Sequence, residues 1–136
     1  MGLNKDFLDI LSIVKDAQHQ IEKKYKNTTV GEEFENQKVA VEIEHLLENL
    51  DSFIHSVKYY NSSAIKGTLS FNVEDERYSL NGETLSCGST LEVFLDEYHE
   101  WEIGTVEHSK KFGGYYFCGD WHKIPLSNVT KCRLRR

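Results

Sequence analysis

The hydrophobic period of this chain changes once, near residue 64, and that change limits what each half can fold into. Ahead of it, Leu3, Phe7, Ile10, Val14, Ala17 and Ile21 recur at alternating spacings of four and three, the seam of a helix that packs along another helix. Leu11 widens the stripe, and Asn4 is placed to cap its start. Asn27-Thr28-Thr29-Val30-Gly31 then interrupts the pattern. A second helix is expected to begin between Gly31 and Glu35, where Glu32, Glu33 and Glu35 meet the positive end of the helix dipole. Its seam is Ala40, Ile43, Leu47, Leu50, Ile54 and Val57, with Leu46 and Phe53 as an apolar flank. A short link between two seams of equal length predicts an antiparallel helical hairpin. Two helices alone leave part of this surface wet. The surplus is expected to be buried on the second half of the chain or on another copy of the hairpin, a four-helix homodimer.

Tyr59 to Ser63 is the only plausible internal boundary, so the expected division is residues 1–63 and 64–136. Beyond it the period is two, which is that of strands. Leu69, Phe71 and Val73 alternate with polar residues, as do Tyr78 and Leu80; Leu91, Val93 and Leu95 face one side while Glu92, Phe94 and Asp96 face the other. Trp101, Ile103 and Thr105 alternate with Glu102, Gly104 and Val106, and Tyr115 to Cys118 returns after a turn at Lys110 to Gly114. Asn81-Gly82 is a hairpin dipeptide, because both central residues of a type I′ turn need positive φ. Gly119-Asp120 marks another tight turn. At the end, Cys132 and Leu134 are expected inward and Arg133 and Arg135 outward. The predicted class is α+β: a helical hairpin followed by a small antiparallel SH3-like barrel of about six strands.

Composition narrows the function classes. No apolar run approaches the ~20 residues of a membrane span. Asp6 and Asp9 interrupt the first apolar stretch, so it is not read as a secretory signal, and Asp6 stands where an N-myristoylation motif wants Ser or Thr. The three cysteines, Cys87, Cys118 and Cys132, have no CxxC spacing, which suits reduced thiols in the cytoplasm. A formal net charge of −6 argues against nucleic acid as the partner of the whole molecule. The charge is also segregated. Residues 74–107 hold Glu74, Asp75, Glu76, Glu83, Glu92, Asp96, Glu97, Glu100, Glu102 and Glu107 against Arg77 alone, whereas Lys110, Lys111, Lys123, Lys131, Arg133, Arg135 and Arg136 follow with Asp120 as the one acid.

The segments KGTL, ERYSLNGETLSCGSTLEVFL, WEIGTVEHS, GYYF and HKIPL resemble a small uncharacterised β domain, a domain of unknown function common in proteins of Gram-positive phages, plasmids and integrative elements. The resemblance covers residues 65–136, and members often carry a preceding helical stretch. It implies a cytoplasmic protein of a mobile element and no particular activity. Many small proteins of such elements counter host defences, among them inhibitors of CRISPR nucleases.

No catalytic constellation or cofactor motif is present. His108, Cys118 and His122 are of the types that bind zinc, but a structural site wants four ligands in paired short spacings. A thiolate nucleophile at Cys118 lacks a helix N-terminus to activate it. The leading expectation is a non-enzymatic interaction protein, in its specific form an inhibitor of a host defence nuclease. It would occupy a nucleic-acid-binding partner through Asp96, Glu97, Glu100 and Glu102, with Phe94 and Trp121 as exposed aromatic anchors. The alternative is a nucleic-acid-binding accessory module using the basic edge of Lys123, Lys131, Arg133 and Arg135.

Overall fold

The computed structural model describes residues 2–135. The chain divides between Ser62 and Ser63 into two compact units. The first is the helical hairpin, α1 (Lys5–Lys26) and α2 (Phe34–Asn61). Asn4 caps α1, its side chain accepting from the Asp6 amide at 2.8 Å, and Lys23, Lys24 and Lys26 place positive charge where the last turn exposes carbonyl oxygens. In α2 every residue of the expected seam is shielded, with Ile54 buried outright. In α1 the expected seam holds at Leu3, Val14, Ala17 and Ile21, which are shielded together with Leu8, Leu11, Gln18 and Tyr25, whereas Phe7 and Ile10 are exposed. Along one rim Gln18 donates to Asp51 at 3.5 Å and the Tyr25 hydroxyl donates to Glu44 at 3.2 Å, so the Gln18 and Tyr25 row of α1 also faces its partner. No helix is long and apolar enough to cross a membrane.

The second unit is antiparallel β, so the α+β class stands. It holds β1 (Ala64–Gly67), β2 (Ser70–Asn72), β3 (Arg77–Leu80), β4 (Glu83–Thr84), β5 (Thr90–Leu95), β6 (Glu100–Ser109), β7 (Gly114–Gly119), β8 (Lys123–Pro125) and β9 (Cys132–Arg135). Among the described residues there are nine strands where about six were expected, the longest of them β6. They form a six-stranded sheet ordered β1-β9-β5-β6-β7-β8 and a three-stranded sheet ordered β2-β3-β4. The larger sheet is open, with β1 and β8 as its edges, so the expected barrel closure is not present among the described residues.

The core fills the inner face of the larger sheet. Leu91, Val93, Val106, Phe117 and Cys132 are at most 2% exposed, and Leu80, Leu85 and Leu126 close over them. Gly104 makes the packing of Phe117 possible: a Cβ there would lie 2.7 Å from the Phe117 ring and strike the Cys118 carbonyl. Asn81 and Gly82, with φ of 49° and 83°, make the turn between β3 and β4. Phe71 and Val73, expected inward, are exposed: Val73 lies beyond the end of β2 at Asn72, and Phe71, within β2, is covered only in part, by the ring of Tyr78 at 4.9 Å across the strand pair.

Candidate functional site

The strands β5 and β6 pair from Thr90–Thr105 to Leu95–Glu100, which leaves Asp96 to His99 as a four-residue turn. His99 closes it at φ 53°, a left-handed conformation that a residue with a Cβ adopts only under constraint. The Tyr98 amide donates to Leu95 O at 3.1 Å, and its ring stands half exposed at the tip. Opposite it, the segment between β7 and β8 is held just as firmly. The Gly119 amide donates to His122 O at 2.9 Å. The His122 amide donates to Glu102 Oε2 at 3.2 Å, and its ring Nδ1 lies 2.9 Å from Glu102 Oε1. Glycine at 119 leaves room for this contact, since a Cβ there would fall on the Glu102 carboxylate and displace it from His122.

Between these two turns lies a cleft of about 310 Å³, lined in part by Asp96, Glu97, Tyr98, His122, Ile124 and Thr130. The Tyr98 and His122 rings pack against each other in its wall, with centroids 5.4 Å apart. Thr130 donates to Asp96 Oδ2 at 3.1 Å, fixing that carboxylate. Trp121, one residue before His122, is 84% exposed. An acidic, aromatic-rimmed concavity of this kind can take a cationic side chain or a basic segment of another protein.

Of the residues singled out from sequence, Asp96 and Glu97 line this cleft, Trp121 stands exposed one residue before its His122, and Glu100 is exposed at the start of β6. Glu102 differs: its side chain is only 9% exposed and is engaged with His122, so it shapes the site rather than offering a free charge. Phe94 is half-buried instead of standing out as an anchor. It lies on the sheet face opposite Val93 and Leu95, with the edge of Trp101 against its ring at 5.3 Å and the Lys131 ammonium 4.8 Å from its centroid. Tyr98 was missed because the acidic run around it reads as a solvated turn. The signal that could have found it is loop length, since four residues between paired strands put the third at the tip.

The basic edge is largely engaged within the fold. Glu92, counted with the solvated acids, is 2% exposed. Its carboxylate accepts from Arg133 Nε at 2.8 Å and Arg135 Nε at 2.6 Å. The Arg133 guanidinium also lies 3.9 Å from the Trp101 centroid and Lys131 lies 5.5 Å from it. A buried carboxylate needs such partners, and Arg133-Leu134-Arg135 supplies two on one face because strand side chains alternate. Lys123 is exposed on β8, at the far edge of the sheet from β1. Arg136 lies outside the described residues.

The three zinc candidates do not come together. The pairing of Thr105 with Cys118 and of His108 with Tyr115 puts Cys118 and His108 on opposite faces of the sheet. His108 packs edge-on against Tyr115 at 4.8 Å, and His122 is committed to Glu102. Among the described residues no group of three or more His, Cys, Asp or Glu side chains is placed to hold a metal ion.

A family model described as Domain of unknown function (DUF5348) matches residues 67–135. No curated protein and no solved structure matches the chain.

Proposed function

The chain belongs to the DUF5348 family, a domain of unknown function, and from that premise we propose a non-enzymatic protein that binds a basic patch on a partner protein through the cleft lined by Asp96, Glu97 and Tyr98. The observation that carries this reading is the cleft lined by Asp96, Glu97 and Tyr98, with Trp121, 84% exposed, next in sequence to the His122 that lines it. Tryptophan and tyrosine at the rim of a pocket supply large contact area at low entropic cost, and such residues dominate binding energy at interfaces. The turn needs little reorganisation to bind, because Glu102, Thr130 and the Gly119 amide already hold it. The competing basic edge is weaker in this respect: Arg133 and Arg135 are paired with Glu92, and Lys131 sits over the rings of Phe94 and Trp101.

In its most specific form the reading is a cytoplasmic mobile-element inhibitor of a host defence nuclease, such as a CRISPR effector. A nuclease presents a basic groove to its nucleic acid, and a fixed acidic turn with aromatic anchors is suited to occupy such a groove. Binding of that kind weakens steeply with salt. For the fold of the β unit we propose a partly open relative of the SH3-like barrels, a reading supported by its short antiparallel strands and tight turns.

The test is a comparison of the full chain with a Trp121→Ala, Asp96→Lys, Glu97→Lys variant as affinity baits in a Gram-positive lysate, with both protein and nucleic acid recovered. A protein partner retained by the native chain, released by salt and lost by the variant is the expected result. Recovery of nucleic acid that survives the variant but is lost on Lys123→Ala, Lys131→Ala substitution would replace this reading with the nucleic-acid-binding one.

A further inference from the structure

The helical hairpin has one closed rim and one open face. Glu44 and Asp51 on α2, which meet Tyr25 and Gln18 of α1, stand two residues before Leu46 and Phe53, roughly 200° round the helix. On that other side Val39, Leu46, Phe53 and Tyr60 recur every seven residues, and α1 contributes Phe7 and Ile10. All six are between 40% and 57% exposed. The α2 helix therefore carries two overlapping heptad seams. Ala40, Leu47 and Ile54 serve α1, Val39, Leu46 and Phe53 form a second row that stays about half exposed, Tyr60 continues that row beside the Tyr59 ring, and Ile43, Leu50 and Val57 lie between the two rows. A helix with two seams is one with two neighbours.

The hairpin carries a groove at each end. At one, Phe7, Phe53 and Tyr60 rim a groove of about 440 Å³. At the other, a groove of about 530 Å³ is lined by Ile21, Tyr25, Val30, Val39 and Ile43 among others. We propose that a second copy of this chain covers the face, the two hairpins packing as a four-helix bundle about a two-fold axis perpendicular to the helices. That axis lets the seven-residue row of Val39, Leu46 and Phe53 in each copy meet the same row of its partner. The area suffices. At roughly 80–100 Å² for each of the six half-exposed side chains, against about 150–250 Å² for a whole aromatic one, two copies cover about 1,000–1,200 Å², enough for a specific interface.

Sedimentation equilibrium of the full chain should give twice its 15.8 kDa at tens of micromolar. Leu46→Lys should weaken the association at least tenfold with helical circular dichroism unchanged. Val41→Lys, at a residue exposed as much as Leu46 but about 200° round from Val39, should leave the dimer intact. Should Leu46→Lys lose helicity, Phe7→Lys makes the same test from α1. A single-chain mass across the concentration range, or a dimer that survives a folded Leu46→Lys or Phe7→Lys chain, overturns the proposal.

Discussion

Cys132 has none of its surface exposed, and burial pushes its thiol from the ordinary 9.0 up to about 11. The charged thiolate is what the apolar surroundings disfavour. The folded chain therefore holds this proton more tightly than the unfolded chain does. The corresponding stability is fully present below pH 9, and it is lost as pH rises from about 9 through about 11. The urea midpoint should fall across that window, and fall less in a Cys132→Ala chain. At pH 8 a thiol reagent followed by mass spectrometry should modify exposed Cys87 and leave Cys132 until the β unit unfolds. At this scale alternation alone identified Cys132 and Leu134 as inward. It misplaced Glu92, since a period of two says which face a side chain takes and not whether that face is wet. What covers Glu92 is Arg133 and Arg135, about forty residues further on, and the pairing of β5 with β9 that brings them there is a long-range contact no local pattern encodes.

Among the elements, the turn between β3 and β4 shows what local chemistry can fix. Leu80 and Leu85, both at most 2% exposed, flank Asn81 and Gly82, so the turn decides whether these leucines enter the core. Gly82 at φ 83° occupies a region that costs an L-residue about 1–2 kcal/mol. Gly82→Ala should lower unfolding stability by about that amount in urea titrations followed by tryptophan fluorescence. A loss within error would mean that the turn is free to adopt another form. The helix start at Asn4, the break before α2 and this turn were all legible because each is set by a few adjacent residues. The exposure of Phe7 and Ile10 was not, since they continue the heptad as well as Leu8 and Leu11 do, and a local pattern does not say which of the two rows the partner helix covers. Nor was the separation into two sheets, because β2 and β4 are three and two residues long, too short for a period to register. The cleft shares that limit: Asp96, Glu97 and Trp121 are visible as types, while the approach of the Trp121 segment to the Tyr98 turn rests on Glu102 reaching His122 twenty residues away.

For the whole molecule, the division between Ser62 and Ser63 and the pairing of hairpins make a joint prediction that no single residue does. Both tryptophans, Trp101 and Trp121, lie in the β unit, so indole fluorescence reports that unit alone, whereas circular dichroism at the helical minimum reports chiefly α1 and α2. A structure that forms only by association is stabilised by mass action. Each tenfold rise in concentration adds about 1.4 kcal/mol per dimer, a shift of several degrees in melting temperature for a unit of some sixty residues. The helical transition should therefore move to higher temperature with concentration while the fluorescence transition stays fixed, and Leu46→Lys should abolish the first dependence and leave the second untouched. Two transitions that both ignore concentration would mean that the hairpin carries its open face without a second copy. One shared transition that moves with concentration would mean that the two units unfold as one. Charge gives the observation its functional weight: pairing hairpins would present two acidic clefts on one particle, so a partner with two basic sites would be held far more tightly than one cleft allows.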